Sequence, residues 1–297
     1  MEQIKRFDTV SQYNAFNKNE TKHPLVSIVD FSKADPRSGS QMYFGVYTVI
    51  LKDVVCGDLR YGKNTYDYQE GTLVFIAPGQ VAGVNNNETF QPKGYALTFH
   101  PDLLLGTSLA KQMRDYGFFG YQSNEALHIS ERERNTVLDC FDKINDELER
   151  GVDKHSKKLI VANIELFLNY CMRFYDRQFI LRDHVNRGIL ERFENLLNNY
   201  FESDKPAIIG LPSIAWCAGQ LNLSANYFGD LVKKETGKTA QEYVQAKLIE
   251  TAKEKIFDGS KTINQVAYEL GFKYPQHFSR IFKQKVGQTP AEYRSLN

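Results

Sequence analysis

Side chains able to hold a metal or move a proton are present in this chain but scattered. A transition metal needs several fixed donors converging on one point, and His23, His100 and His128 lie far apart, at the edges of strand-like or turn-like runs. Asp67 and Glu88 are isolated carboxylates and read as solvated. Cys56, Cys140, Cys171 and Cys217 contain no CxxC pair, so they read as reduced, mostly buried thiols. What the sequence does concentrate is positive charge. Residues 205–297 hold 13 Lys and Arg against 8 Asp and Glu, and residues 1–204 hold 24 against 28, a division that the net charge of +1 conceals. A basic end on an acidic body points to contacts with phosphate, which dominate nucleic-acid affinity.

The basic end is written twice. Ile214, Ala218, Leu221 and Leu223 recur as Ile263, Ala267, Leu270 and Phe272, and Phe228, Gly237, Thr239, Glu242 and Tyr243 recur as Phe278, Gly287, Thr289, Glu292 and Tyr293. The offset is 49 residues up to Leu223 and 50 from Phe228 onward, so one residue is inserted between two helices, where a turn tolerates it. Two copies are too few for a solenoid and point to a duplicated small module. Each copy reads as helix, tight turn, helix and glycine stop. Thr262 with Gln265 and Thr289 with Glu292 are capping boxes, and Thr239 with Glu242 repeats the second of them. Val266, Ala267 and Leu270 give an apolar face at helical spacing. Gly271 accepts a left-handed conformation, and Pro275 suits the first turn of a helix. Between the copies, Tyr243–Phe257 reads as one helix ended by Asp258-Gly259-Ser260. Two helices joined by so short a turn form either a helix-turn-helix or a hairpin that only packs on its neighbour; the charge favours the first.

The stretch from Leu211 to Tyr293 resembles the DNA-binding domain of the AraC/XylS transcriptional regulators. The carrying segments are Leu221–Phe228, Ala267–Phe272, His277–Lys283, Gly287–Pro290 and Glu292–Arg294. The resemblance implies two helix-turn-helix units joined by one long helix, each presenting a recognition helix to a successive major groove. It implies that the second recognition helix runs from about Pro275 to Lys285, burying Phe278, Ile281 and Phe282. Tyr274, Gln276, His277 and Arg280 then face the groove. A guanidinium binds guanine O6 and N7 bidentately and an amide pairs with adenine, which makes Arg280 the leading base contact. Lys273, Lys283 and Lys285 are placed for phosphate, which positions without specifying. The first recognition helix begins at the N-cap Ser224 and exposes Asn226, Asp230 and Lys233. Asp230 departs from the family pattern, which tends to have a basic or amide residue there. It accepts a hydrogen bond from cytosine N4, marks a weakly engaged unit, or pairs with Lys233 or Lys234; Asn226 is the better base contact on this helix.

The first two hundred residues bound the rest. A length of 297 residues predicts two domains, and 42% hydrophobic residues suffice for real cores. Met1-Glu2-Gln3-Ile4-Lys5-Arg6 leads into polar sequence, so no secretory signal is expected, and no run approaches the roughly 20 apolar residues of a membrane span. Leu25–Val29, Tyr43–Leu51, Gly71–Ile76 and Tyr95–Phe99 read as strands between turn residues. Gly71 to Gly79 resembles the second half of a cupin barrel motif, which AraC-type regulators often use as a sensor. The motif's metal site is not supplied, because Ala82 and Val84 follow Pro78-Gly79 where a histidine is expected and no His-x-His precedes Gly71. The interior is therefore either a small-molecule site or a filled core. From Glu131 the period is helical. Glu131–Arg150 is one helix. Lys154–Arg177 carries two apolar stripes, Leu159, Ala162, Leu166 and Tyr170 on one and Ile160, Ile164, Phe167, Cys171 and Phe174 on the other, so it needs two partners. One partner is its own domain; the second is a further subunit or another intramolecular surface. Gly188–Tyr200 adds a third helix, and Glu202–Pro206 is the expected hinge.

The expected architecture is α+β in two domains. A cupin-like sensor barrel with an N-terminal arm (residues 1–23) occupies 1–130, a helical connector and dimerisation segment 131–203, and an all-α double helix-turn-helix domain 204–297. The expected function is a bacterial, cytoplasmic, sequence-specific regulator acting on double-stranded promoter DNA. It would be a homodimer with an unidentified small-molecule effector, with RNA polymerase as a further candidate partner, without cofactor, metal, membrane association or enzymatic activity. The alternatives are a cupin-type metal enzyme and a ligand-independent architectural DNA binder.

Overall fold

The computed structural model describes residues 4–38, 40–52, 60–61, 64–65, 71–83, 89–122 and 125–296, and the chain divides between Leu181 and Arg182 into two units. Cys56, Asp67, Val84 and Glu88 lie outside the described residues. In the first unit the strands are β1 (Lys5–Phe7), β2 (Val26–Asp30), β3 (Gln41–Phe44), β4 (Tyr47–Lys52), the pair β5 (Arg60–Tyr61) and β6 (Asn64–Thr65), β7 (Thr72–Ile76), β8 (Gln80–Gly83), β9 (Gly94–Phe99) and β10 (Leu127–His128). A five-stranded antiparallel sheet runs β10-β7-β4-β9-β2, and a three-stranded sheet runs β1-β3-β8. At the centre of the larger sheet, Val49 and Leu51 of β4 and Leu97 and Phe99 of β9 are fully buried, each large side chain contributing about 1.5–3 kcal/mol.

The expected closed barrel is replaced, among the described residues, by these two open sheets. The run expected as one strand, Tyr43–Leu51, is broken at Gly45, which carries the chain from β3 in the small sheet to β4 in the large one. A side chain at Gly45 would sit 2.9 Å from the Asp8 Cα, so only glycine lets the N-terminal segment pass there. From Lys5 onward the segment expected as an arm is built into the first unit. β1 pairs in parallel with β3, and a capping box of Thr9 and Gln12 starts α1 (Val10–Phe16). Phe7 and Tyr13 then join Val29, Phe31, Phe44 and Ile76 in one core cluster, because two large aromatics gain more from burial than a loose arm gains in entropy.

After the short α2 (Leu109–Gln112) come α3 (Glu131–Glu149) and α4 (Ser156–Leu181). A capping box of Ser130 and Glu133 opens α3. The two helices pack along one another, with Phe141 and Phe167 rings 5.2 Å apart. Buried Gln178 ties α4 to β10, accepting from His128 N at 2.8 Å and donating to Ala126 O at 3.2 Å. Arg177 bridges Glu133 at 2.7 Å and also donates to His128 O. Of the two apolar stripes on α4, the one through Ile160, Ile164, Phe167 and Cys171 is buried, and the one through Leu159 and Leu166 stays exposed at 47% and 40%.

The second unit is all helical: α5 (Asp183–Glu202), α6 (Lys205–Ile209), α7 (Ile214–Gln220), α8 (Ala225–Thr236), α9 (Ala240–Ile256), α10 (Ile263–Glu269), α11 (Pro275–Val286) and α12 (Pro290–Leu296). The boundary between the units thus falls inside the segment expected as a connector. α5 packs on α6, α8 and α9, with Phe193 edge-on to Phe228 at 4.8 Å and beside Tyr243 at 5.3 Å. The expected hinge Glu202–Pro206 is instead the α5–α6 junction within this unit, with Pro206 buried. Among the described residues no helix is long and apolar enough to cross a membrane.

Candidate nucleic-acid interface

The repeat legible in the sequence is a repeat of structure. α7 and α10 are each 7 residues long, and α8 and α11 are each 12. The extra residue of the second copy falls in the turn, Leu221–Ser224 in the first copy and Leu270–Tyr274 in the second. Asn222 takes the left-handed conformation at φ +57° where Gly271 takes it at φ +88°. Asparagine tolerates that region, but a side chain at Gly271 would lie 2.8 Å from the Pro206 carbonyl oxygen and 3.1 Å from the Gly210 Cα. The glycine therefore seats α10 against α6. α8 and α11 both stop at left-handed glycines, Gly237 and Gly287. Thr239 with Glu242 and Thr289 with Glu292 then restart the chain. Their carboxylates accept from the threonine backbone N–H at 2.8 and 2.7 Å. Those bonds, led by the backbone donors, hold both carboxyls below their ordinary value of 4.5.

Each second helix buries one side and offers the other. In α11, Phe278 and Phe282 are fully buried and Ile281 is half-buried, while Gln276, His277, Arg280 and Lys283 are exposed, with Lys273 and Tyr274 exposed in the turn before it. Tyr274 stacks edge-on to His277 at 5.6 Å, and the Lys273 ammonium lies 5.9 Å from the Tyr274 ring. In α8, Tyr227, Phe228, Leu231 and Val232 are buried; Asn226 and Lys233 are exposed and Asp230 is half-buried. Ser224 stands apart from this row. Its hydroxyl accepts from Tyr227 N at 3.1 Å and the residue is only 8% exposed, so it shapes the helix start from within. Asn226, Asp230 and Lys233 occupy the same helical positions as Gln276, Arg280 and Lys283, a correspondence that needs the inserted turn residue to be seen.

Sequence reasoning gave no role to Arg294. Its guanidinium donates to the carbonyls of Ile256 and, at 2.9 Å, Lys261, closing the C-terminal end of α9 as basic side chains do and fixing the link to α10. Lys255 and Lys261 both pair with Glu269, while Lys247 pairs with Glu250 along α9.

The first unit contains a cavity of about 590 Å³ whose walls include Phe75, Phe118, Tyr121 and Tyr175 with the amides of Gln41 and Gln80. Gln80 is fixed, accepting from Ala77 N at 2.8 Å and donating to Phe119 O at 2.9 Å. The histidines are held locally. His23 accepts from Leu25 N, His100 accepts from Asp102 N, and buried His128 lies 3.3 Å from the Thr72 hydroxyl. Among the described residues no three His, Cys, Asp or Glu side chains cluster for a metal ion. Cys140, Cys171 and Cys217 are free and buried, and burial pushes the Cys217 thiol up to about 11.

Two like helix pairs, each burying one side of its second helix, define a double helix-turn-helix module. Residues 217–295 match the model of a family described as a helix-turn-helix domain. An uncharacterized helix-turn-helix-type transcriptional regulator of Bacillus subtilis, YfiF, is 28% identical over 142 residues, 48% of this chain and 41% of that protein. An uncharacterized transcriptional regulatory protein of the same organism, YesN, is 35% identical over 85 residues, 28% of this chain and 23% of that protein. The alignments thus span less than half the length of these relatives. Among solved structures, a transcriptional regulator from Chromobacterium violaceum with an AraC-type DNA-binding domain is 22% identical with a TM-score of 0.33, over 37% of this chain and 91% of that one.

Proposed function

We propose that this chain is a sequence-specific, DNA-binding transcriptional regulator that reads promoter DNA with α8 and α11. The observation that carries this is the pair of matched rows, exposed Asn226, half-buried Asp230 and exposed Lys233 on one helix and exposed Gln276, Arg280 and Lys283 on the other, in a segment, residues 205–297, with 13 Lys and Arg against 8 Asp and Glu. Amide and guanidinium groups match base edges, and lysines match phosphates. Two such helices in one unit serve successive major grooves as the two halves of a dimer ordinarily do.

The first unit is the sensor in this reading. The aromatic cavity beside β7 and β8 has the size and lining of a small-molecule site and suits a planar effector that stacks on its aromatic walls. The exposed Leu159 and Leu166 stripe of α4 is the face for a second copy of the chain. An effector acts by its different affinity for alternative arrangements of the regulator, without chemistry.

Binding of the full chain to DNA from upstream of its own gene, followed by fluorescence anisotropy across a salt series, tests the reading. Tight, steeply salt-dependent binding that prefers this DNA over a scrambled duplex, with the preference lost in Arg280→Ala, is the expected result. Failure to select any sequence from a random DNA pool would end it.

A further inference from the structure

The matched faces of α8 and α11 differ at a position that changes what they can read. At three equivalent positions, spaced i, i+4 and i+7, α8 carries amide, carboxylate and ammonium (Asn226, Asp230, Lys233) and α11 carries amide, guanidinium and ammonium (Gln276, Arg280, Lys283). The outer two keep their chemistry; only the middle one inverts its charge. The residue before it differs as well. Gly229, half-buried on α8, stands where α11 has the half-buried Ser279. A side chain at Gly229 would meet nothing within 4 Å, so no contact inside the chain calls for glycine. A glycine inside a helix is less favourable than any residue but proline.

The two differences answer each other. An aspartate carboxylate sits one methylene from the backbone and reaches less far than a guanidinium three methylenes out. It meets a base edge only if its helix lies deeper in the groove, and removing the neighbouring side chain lets the backbone approach. In the major groove, guanine presents N7 and O6 and thymine presents O4, all acceptors that repel a carboxylate. Adenine sets the acceptor N7 beside its N6 donor, whereas cytosine offers its N4 donor. A carboxylate therefore selects cytosine largely by rejecting the other three bases, while Lys233 offsets its repulsion from the backbone phosphates.

We propose that Asp230 is a base-reading residue selecting cytosine in the half-site of α8, as Arg280 selects guanine in the half-site of α11, and that Gly229 is the clearance that lets α8 sit close enough. This rests on the DNA-reading function proposed above and specifies the two halves of its binding site as unlike.

The test is selection from a random duplex pool by the full chain, with wild type, Asp230→Ala, Asp230→Asn, Gly229→Ser and the pair Gly229→Ser/Asp230→Arg. Fluorescence of Trp216 confirms that the second unit of each variant folds. The wild type is expected to select two half-sites a helical turn apart, with a fixed cytosine in the half-site that Arg280→Ala leaves untouched. Replacing that cytosine by thymine weakens wild-type binding by about tenfold, the range of one base-edge contact, and leaves Asp230→Ala indifferent. Asp230→Asn shifts the preference to adenine, Gly229→Ser blunts it, and the paired substitution turns it to guanine. An unchanged base profile in Asp230→Ala, with uniformly tighter binding to all DNA, would mean that Asp230 only repels and would overturn the inference. A wild-type profile with the α11 half-site alone would overturn it too, while leaving the regulator function standing; a profile with no preference anywhere would remove both.

Discussion

The Phe193 ring of α5 meets the Phe228 ring of α8 edge-on, 4.8 Å between centroids at 85°, so the helix that precedes the repeat is part of the core that holds its first recognition helix. Phe193 and Phe228 are both fully buried. Removing a buried phenylalanine costs about 3–5 kcal/mol. Phe193→Ala is therefore expected to destabilise the second unit by that amount. Trp216, the single tryptophan of the chain, packs on Tyr200 at 5.0 Å, so its fluorescence during urea unfolding follows this unit. An unshifted midpoint would show that α5 is not part of its core.

Acid should loosen the same unit through two exposed carboxylates. Glu242 and Glu292 are held below their ordinary value of 4.5 chiefly by the backbone N–H groups of Thr239 and Thr289. A depressed folded value means that their contribution is complete above about pH 4.5 and is lost as pH falls through the folded values. Glutamine at the same positions keeps the capping geometry without the charge. Thermal unfolding from pH 7 to pH 3 is expected to show a steeper loss below pH 4.5 for the wild type than for Glu242→Gln/Glu292→Gln. Parallel curves would assign the acid sensitivity to other groups.

How much of this was legible in the sequence follows the range of the interactions. Thr262 with Gln265 and the N-cap Ser224 act within one turn of helix, so local spacing revealed α8 and α10 nearly to the residue, while α9 begins at Ala240, three residues before the expected Tyr243. The same rule makes Thr9 with Gln12 a helix start, and α1 was open to that reading. β10 is two residues long and exists through its register with Leu73 and Thr72, far off in the chain. The break at Gly45 depends on Asp8, and the place of α5 depends on Phe228 and Tyr243; no local pattern encodes either. For the candidate site, residue types marked Arg280, Gln276 and Asn226, and the offset of 50 from Phe228 onward already sets Asp230 opposite Arg280, but the half-burial of Asp230 needed the fold. The burial of Ser224, which takes its hydroxyl out of the exposed row, needed the fold.

The turn that carries α10 into α11 gives a sharper contrast between two equivalent positions. Gly271→Ala puts a Cβ against the Pro206 carbonyl and the Gly210 backbone, all main-chain atoms with no rotamer to yield, at a φ of +88° that alanine disfavours. A cost of about 1–3 kcal/mol is expected. Asn222→Gly, at the matching place in the first copy, keeps the left-handed turn and should stay within about 1 kcal/mol of wild type. Equal losses, measured by the Trp216 unfolding midpoint, would contradict the close seating of α10 on α6.

Base contacts and phosphate contacts on α11 should separate by their salt dependence. Lys283 lies seven residues on from Gln276 and three from Arg280, exposed on the same helix, where an ammonium meets the backbone as a point charge without identifying a base. Removing one phosphate contact releases one fewer counterion, so Lys283→Ala is expected to lower the slope of log K against log salt by about 0.9 and to weaken preferred and scrambled DNA alike. Arg280→Ala is expected to keep most of that slope, weaken preferred DNA by about 1–3 kcal/mol and relax the preference at one base pair. Anisotropy titrations of both variants at several salt concentrations measure the two quantities independently. If Lys283→Ala relaxed the base preference and Arg280→Ala changed only the slope, α11 would lie in the groove rotated from the orientation its buried face implies.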